Sequence, residues 1–350
     1  MLRIFAVATV LLTSVLHLTP VGQDTFNPKI LGPSKEGQKA MARMTIPKGT
    51  EATLYAAEPM LANPVSFCFD EQGNIYVAES FRIGAGVLDN RDHMKKKKTW
   101  LDDELACQSV ADREEMFKKQ FGKDFAGLGK AHDRVRKLVD SQGTGVADKA
   151  FVFADGFNTP LTGVGAGVLA RQGKVYYTCI PDLWMLEDTK GENKADKRQS
   201  LHYGFGVHTA YMGHDLHGLK MGPDGRVYFS IGDRGLNVKT PEGNVVANPH
   251  SGAVLRCWPD GSGLELFAKG LRNPQELVFD QYGNLFAGDN NADGGDSARW
   301  VHLVEGCDSG WRIGYQEMTK PMRLGPWNAE KIWNTQFSGQ HANVVPPVGY

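Results

Sequence analysis

The sequence predicts an all-β chain built as a β-propeller. Three observations carry that expectation: 41 glycines in 350 residues, short β-rich runs separated by Asp/Gly turns, and one strand–turn–strand unit that occurs four times. Long helical periodicities are confined to one stretch, so the texture is that of a sandwich, barrel or propeller, and the repeat selects the propeller.

The repeated unit begins with Phe67-Cys-Phe-Asp-Glu-Gln-Gly73-Asn-Ile-Tyr-Val-Ala. It returns around Gly173, Gly225 and Gly283, each glycine between two apolar runs. The last two spacings, 52 and 58 residues, suit one small antiparallel sheet per repeat. The first, 100 residues, predicts either two ordinary repeats or one that carries an insertion. Between Trp100 and Val139 the chain is charged, with Leu101, Leu105, Met116, Phe117, Phe121, Leu128, Val135 and Leu138 at roughly helical spacing, so a helical insertion is expected over 100–139. Outer strands are expected at Gly252–Trp258 and from Leu264, joined by the turn Pro259-Asp-Gly-Ser-Gly.

The expected domains are a signal peptide at 1–23, a lead-in at 24–49 and the propeller at 50–350. Arg3 followed by the apolar run Ile4–Leu18 is the layout of an export signal, with a retained anchor as the alternative. No other apolar run of that length follows, so no further membrane span is expected. Four hairpins make four or five blades at most, and a propeller must close or expose sheet edges. A continuation beyond Tyr350, or a partner that covers the open edges, is therefore expected.

A formal charge of −1 gives no general electrostatic case for nucleic acid, and Lys95–Lys98 reads as a solvated loop. The five cysteines are odd in number, widely spaced and without CxxC, which excludes attached c-type haem and a zinc ribbon within the chain. Cys68, Cys179 and Cys257 lie in apolar strand patterns and are expected as buried thiols.

Three polar stretches are candidates for chemistry. His214 precedes a strand and Asp233 follows its partner, so both fall at one end of a hairpin, where a carboxylate can orient an imidazole base. His217 competes for that role, and a turn-capping Asp233 beside a packed histidine is the plain alternative. Arg272 and Asn273 precede a proline that opens the next unit, placed to meet an anion or, alternatively, solvent. Asp289, Asn290, Asn291, Asp293 and Asp296 cluster among glycines and supply the oxygens that Ca2+ takes, though such a cluster also makes an ordinary turn. Segments Asp140–Asp148 and Asp188–Asp196 look like degenerate calcium loops, with Thr144 and Lys190 where carboxylates are needed.

Taken in order, these stretches resemble the glucose/sorbosone dehydrogenase family, six-bladed propellers that use pyrroloquinoline quinone (PQQ) and Ca2+. The matching residues are His214, Gly222-Pro-Asp-Gly225, Ile231-Gly-Asp233, Arg272-Asn-Pro-Gln275, the acidic stretch Asp289–Asp296 and Gly306-Cys-Asp-Ser-Gly-Trp311. Ala154-Asp-Gly-Phe-Asn and His214-Asp-Leu-His-Gly are similar to the membrane-bound dehydrogenase domain proteins of planctomycete-like bacteria. The resemblance implies His214 as base, Asp233 as its orienting partner, and Arg272, Asn273, Arg234 and His217 facing the cofactor. It also implies calcium at 289–296, a sugar or other alcohol as substrate, a cytochrome c as electron acceptor and a periplasmic or extracellular location. Ser297 stands where those enzymes place a second adjacent carboxylate, and their later basic groups would fall beyond Tyr350. Two other functions stay open: a propeller that binds a glycan or protein without catalysis, and a calcium-dependent hydrolase of the lactonase type.

Overall fold

The computed structural model describes residues 26–94, 96, 97, 99–290, 298–314 and 317. The short helix α1 (Glu36–Met41) lies in the lead-in. Blade 1 contains β1 (Pro64–Phe69), β2 (Ile75–Glu79), β3 (Asp133–Val139) and β4 (Lys149–Phe157), antiparallel and in chain order. Blade 2 repeats this with β5 (Gly165–Arg171), β6 (Lys174–Cys179), β7 (Asp182–Glu187) and β8 (Lys197–Tyr203). Blade 3 begins with β9 (Leu216–Met221) and β10 (Val227–Ile231). A separate ribbon of β11 (Leu236–Lys239) and β12 (Val245–Asn248) intervenes before the outer strands β13 (Gly252–Cys257) and β14 (Glu265–Leu271). Blade 4 holds β15 (Pro274–Phe279), β16 (Leu285–Asp289) and β17 (Arg299–Leu303).

Each predicted unit is the inner hairpin of a blade. Gly73, Gly173, Gly225 and Gly283 take φ of 81°, 76°, 80° and 84°, a region that residues with a Cβ enter only under strain. In blades 1 and 4 the turn is also tied by its aspartate: Asp70 Oδ1 accepts from Gln72 and Asn74 N–H, and Asp280 Oδ1 accepts from Tyr282 and Asn284 N–H.

The innermost strands β1, β5, β9 and β15 pack in succession, and the blades face one another through apolar layers. Alternation along each strand divides residues between neighbours. Tyr177 packs toward Val135 and Phe153 of blade 1, whereas Tyr176 packs toward Phe229 and Leu255 of blade 3. Tyr228, next to Phe229, faces Leu277, Leu285 and Val301 of blade 4. A fully buried Leu or Phe in such a layer contributes about 1.5–3 kcal/mol. These layers, not the connections, hold the blades in order.

The propeller expectation holds, with a correction of number: the described residues form four blades, not six, and the fourth has three strands. The helical insertion also needs correction. It consists of α2 (Asn90–Met94), α3 (Trp100–Ala106), α4 (Val110–Phe121) and a 3-10 turn at Gly122–Gly129, and residues 133–139 are strand β3. Val135 and Leu138, expected at helical spacing, lie instead in this strand, where the Arg134 and Arg136 side chains are buried against Glu79 of β2. The excursion thus accounts for the long first interval, inserted between the second and third strands of blade 1. It has its own core around Trp100, Val110, Phe117 and Val207, and Ser109 caps α4 by accepting from Asp112 N–H.

The expected signal peptide lies outside the described residues, and no helix among the described residues is long and apolar enough to cross a membrane. All five cysteines are free; Cys107, Cys179, Cys257 and Cys307 are buried and Cys68 is half-buried. Burial pushes the Cys68, Cys107 and Cys257 thiols up to about 12, which keeps them protonated and unreactive.

Candidate active site

The hairpin turns occupy one end of the blades. Strand entrances and the helical excursion occupy the other, where pairs such as Pro64 with Glu79 and Pro274 with Asp289 close the inner hairpins. Counting back eleven residues from each turn glycine gives Ala62, Thr162, His214 and Arg272, one rim position per blade. Blades 3 and 4 place their chemistry there.

Leu216 pairs with Ile231, so His214 and Asp233 each lie two residues beyond the last pair of the same ladder. His214 Nδ1 stands 2.7 Å from Asp233 Oδ1. The approach depends on Gly232, where a Cβ would fall 2.7 Å from His214 Cβ and 2.9 Å from Asn273 Oδ1. The second carboxylate oxygen of Asp233 accepts from Trp311 Nε1 at 2.9 Å, and its N–H donates to Arg272 O at 2.8 Å. Burial works to raise the Asp233 carboxyl; His214, Arg272 and Trp311 outweigh it and hold the group below the usual carboxylate range. An ionised carboxylate only accepts, so Nδ1 carries the proton and the Nε2 lone pair becomes the basic position.

Arg272 is fully buried, with its guanidinium 5.6 Å from the Tyr211 ring and 5.7 Å from the Trp311 ring. Cationic charge between two aromatic faces suits a flat anionic ligand. Asn273 adds a buried Oδ1 that has no hydrogen-bond partner among the described residues. His217 does not join this group. It lies within β9 opposite Ser230, and burial pushes its imidazole down to about 4, so it is neutral and apart from Asp233. Arg234 is also buried, but its guanidinium lies 3.7 Å from Asp215 Oδ2 and 3.4 Å from Tyr211 O.

The expected metal loop divides. Asp289 is fully buried and already committed: its Oδ1 accepts from Arg272 and Asn273 N–H at 3.1 and 2.8 Å, and Oδ2 is paired with Arg299. In this arrangement the carboxylate does not fit a calcium ligand. Asn290 is exposed at the end of β16, and Asn291, Asp293 and Asp296 lie outside the described residues. The two degenerate loops use their carboxylates as turn ties. Asp148 accepts from Ser141 and Asp140 from Gly145; Asp196 accepts from Thr189 and Asp188 from Asn193.

Sequence reasoning missed Trp311, Tyr211 and Asp215 as parts of the site. Trp311 had a signal, because it ends the Gly306–Trp311 match, but its bond to Asp233 joins positions far apart in the chain. Tyr211 carried no motif, and Asp215 lay inside the His214-Asp-Leu-His-Gly match without a role assigned to it.

Residues 36–304 match the family described as Domain of unknown function (DUF7133). The chain belongs to this family. No curated protein matches it. Among solved structures, a protein described as an oxidoreductase (glucose dehydrogenase) from Thermus thermophilus is similar at 15% identity and a TM-score of 0.45, over 82% of this chain and 69% of that one. The PQQ-bound aldose sugar dehydrogenase of Streptomyces coelicolor is similar at 15% identity and a TM-score of 0.40, over 83% and 68%. The soluble aldose sugar dehydrogenase of Escherichia coli, in its apo form, is similar at 14% and 0.40, over 62% and 65%. This member of the family therefore spans about two thirds of the length of these chains.

Proposed function

We propose that the chain is an exported, periplasmic or extracellular, quinoprotein-like dehydrogenase that oxidises a sugar or other alcohol. The observation that carries this reading is the buried His214–Asp233 pair, braced by Trp311 and adjoined by Arg272. The sequence resemblance supplies the cofactor class, PQQ, and the charge and flat aromatic faces around Arg272 suit such a polyanion.

His214 Nε2 takes the proton of the substrate hydroxyl as its C–H bond is broken. Asp233 keeps the imidazole in the required tautomer and stabilises the imidazolium that forms, while Trp311 holds the other carboxylate oxygen. Arg272 and Asn273 would hold the quinone. PQQ, when bound, supplies the two-electron acceptor for the hydride. Calcium enters the proposal only through Asn290, Asn291, Asp293 and Asp296, because Asp289 is spent on the backbone and Arg299. A cytochrome c is the proposed acceptor of the electrons.

The test is a titration with PQQ, with and without Ca2+, followed by sugar-dependent dye reduction. A quinone spectrum and turnover abolished in His214→Gln and Asp233→Asn support the proposal. Lactone hydrolysis without quinone, or glycan binding without turnover, replaces it.

A further inference from the structure

The helical excursion of blade 1 reaches the chain segment that delivers His214. Four hydrogen bonds join them. Glu104 Oε1 accepts from Ala210 N–H at 2.9 Å, and Asn90 N–H donates to Ala210 O at 3.0 Å. Asp89 Oδ2 accepts from Met212 N–H at 3.0 Å, and His208 Nδ1 donates to Glu104 O at 2.9 Å. Ala210 is thus gripped on both its N–H and its C=O, and it takes φ +48°, in the left-handed region that a residue with a Cβ rarely enters. Such a conformation persists where its surroundings over-determine it. Just beyond, His214 N–H donates to Tyr211 O at 3.2 Å, so the turn carrying the imidazole is built on the gripped segment.

The grip is itself held in place. Glu104 is fully buried, and Asn90 Nδ2 donates to its Oε1 at 3.3 Å. Trp100 Nε1 donates to Asn90 Oδ1 at 2.8 Å, which anchors the contact in the core of the excursion. Asp89 also binds Arg91, whose guanidinium stacks on Tyr211 at 4.6 Å.

We propose that Glu104 and Asp89 are positioning residues for His214: by fixing segment 208–212 they set where the imidazole stands over Asp233. Neither touches the imidazole, and they act through the backbone of another blade. The insertion is on this account a working part of the rim. Its catalytic meaning rests on the dehydrogenase proposal, but its geometry does not, and the test needs neither quinone nor substrate.

The probe is the imidazole itself, observed in the full chain by 15N-histidine NMR. His214 in the unaltered chain should show a single Nδ1–H tautomer with a slowly exchanging proton. His202, whose Nε2 bonds Gly261 O at 2.6 Å at a remote contact between blades 2 and 3, is the internal control. Glu104→Ala and Asp89→Ala should each speed exchange of the His214 Nδ1 proton at least tenfold and introduce the second tautomer, with His202 unchanged. Glu104→Gln, which keeps an acceptor for Ala210 N–H, should restore the original signal. Unchanged His214 signals in both alanine variants overturn the proposal, as does a parallel change at His202. Failure of both alanine variants to fold also overturns it, in favour of a clamp needed for stability alone. A chain that passes this test yet binds no quinone refutes the dehydrogenase reading and leaves the positioning role standing.

Discussion

Blades 1 and 4 enter the rim by the same device. Leu61-Ala-Asn-Pro64 and Leu271-Arg-Asn-Pro274 each lead into an innermost strand, and a carboxylate ends the second strand: Glu79 in one, Asp289 in the other. Each carboxylate is paired in the ladder with the entering proline and with an arginine of the third strand, Arg134 or Arg299. Each accepts from the entering backbone, Glu79 from Ala62 N–H and Asp289 from Arg272 and Asn273 N–H. The difference lies one residue before the shared asparagine. Ala62 offers nothing to the rim, whereas Arg272 puts a guanidinium between Tyr211 and Trp311. Blade 3 varies the device further: Ile231 stands where the carboxylate would be, and the carboxylate comes two residues later as Asp233, bonded to an imidazole. The scaffold repeats, and the chemistry sits on the positions that do not.

The largest expected effect tests the parity of the two clamps. Glu79→Ala strands the buried Arg134 and Asp289→Ala the half-buried Arg299, each together with backbone N–H donors, so each should lower unfolding free energy by roughly 3–5 kcal/mol in urea titration. A loss under about 1 kcal/mol for Asp289→Ala, with one above about 3 for Glu79→Ala, would break the comparison. The Asp289→Ala loss should be the same in chelator and in Ca2+, because Arg299 and the backbone are the partners.

Blade 3 sharpens the contrast through pH. His217 is pushed down to about 4 in the folded chain, below the value of about 6.5 for a free imidazole. Between those values the unfolded chain binds more protons, so stability is fully present above about pH 6.5 and is lost as pH falls toward 4, by roughly 3 kcal/mol in total. His217→Gln should flatten that limb of the stability curve. Asp233 adds a separate loss at lower pH, as its depressed carboxyl is protonated.

A smaller effect tests what Arg272 adds to the blade 4 clamp. Burial raises the Asp233 carboxyl while His214, Arg272 and Trp311 lower it, so Arg272→Met should move it upward in a 13C-carboxyl titration. The same variant should bind PQQ about tenfold more weakly, near 1.4 kcal/mol. Ala62→Ser, at the equivalent position of blade 1, should leave both unchanged.

The smallest effects belong to the exposed turn loops. Asp140→Asn and Asp188→Asn should leave the thermal midpoint within experimental scatter and unresponsive to Ca2+. A calcium-dependent rise in either unaltered loop would show that Thr144 or Lys190 had been wrongly taken to exclude the metal.

The repeat, its turn glycines and the outer strands of blade 3 were legible in the chain because each is local: a two-residue alternation and a positive-φ turn are written within a dozen positions. The placement of His214 near Asp233 was legible for the same reason, since one hairpin joins them. Three features were not. Residues 133–139 read as the end of the helical insertion until pairing with β2 made them a strand and set Arg134 and Arg136 against Glu79. Asp289 read as a metal ligand until the fold brought it the Arg272 and Asn273 N–H groups and Arg299. Trp311 against Asp233 and Glu104 against Ala210 join different blades, so no window of sequence contains both ends. Sequence alone determined the kind of blade and the types of residue at its rim. Only tertiary structure decided which of those charges are spent on holding the rim together and which are left to act, because a buried charge is defined by the partner that packing brings to it.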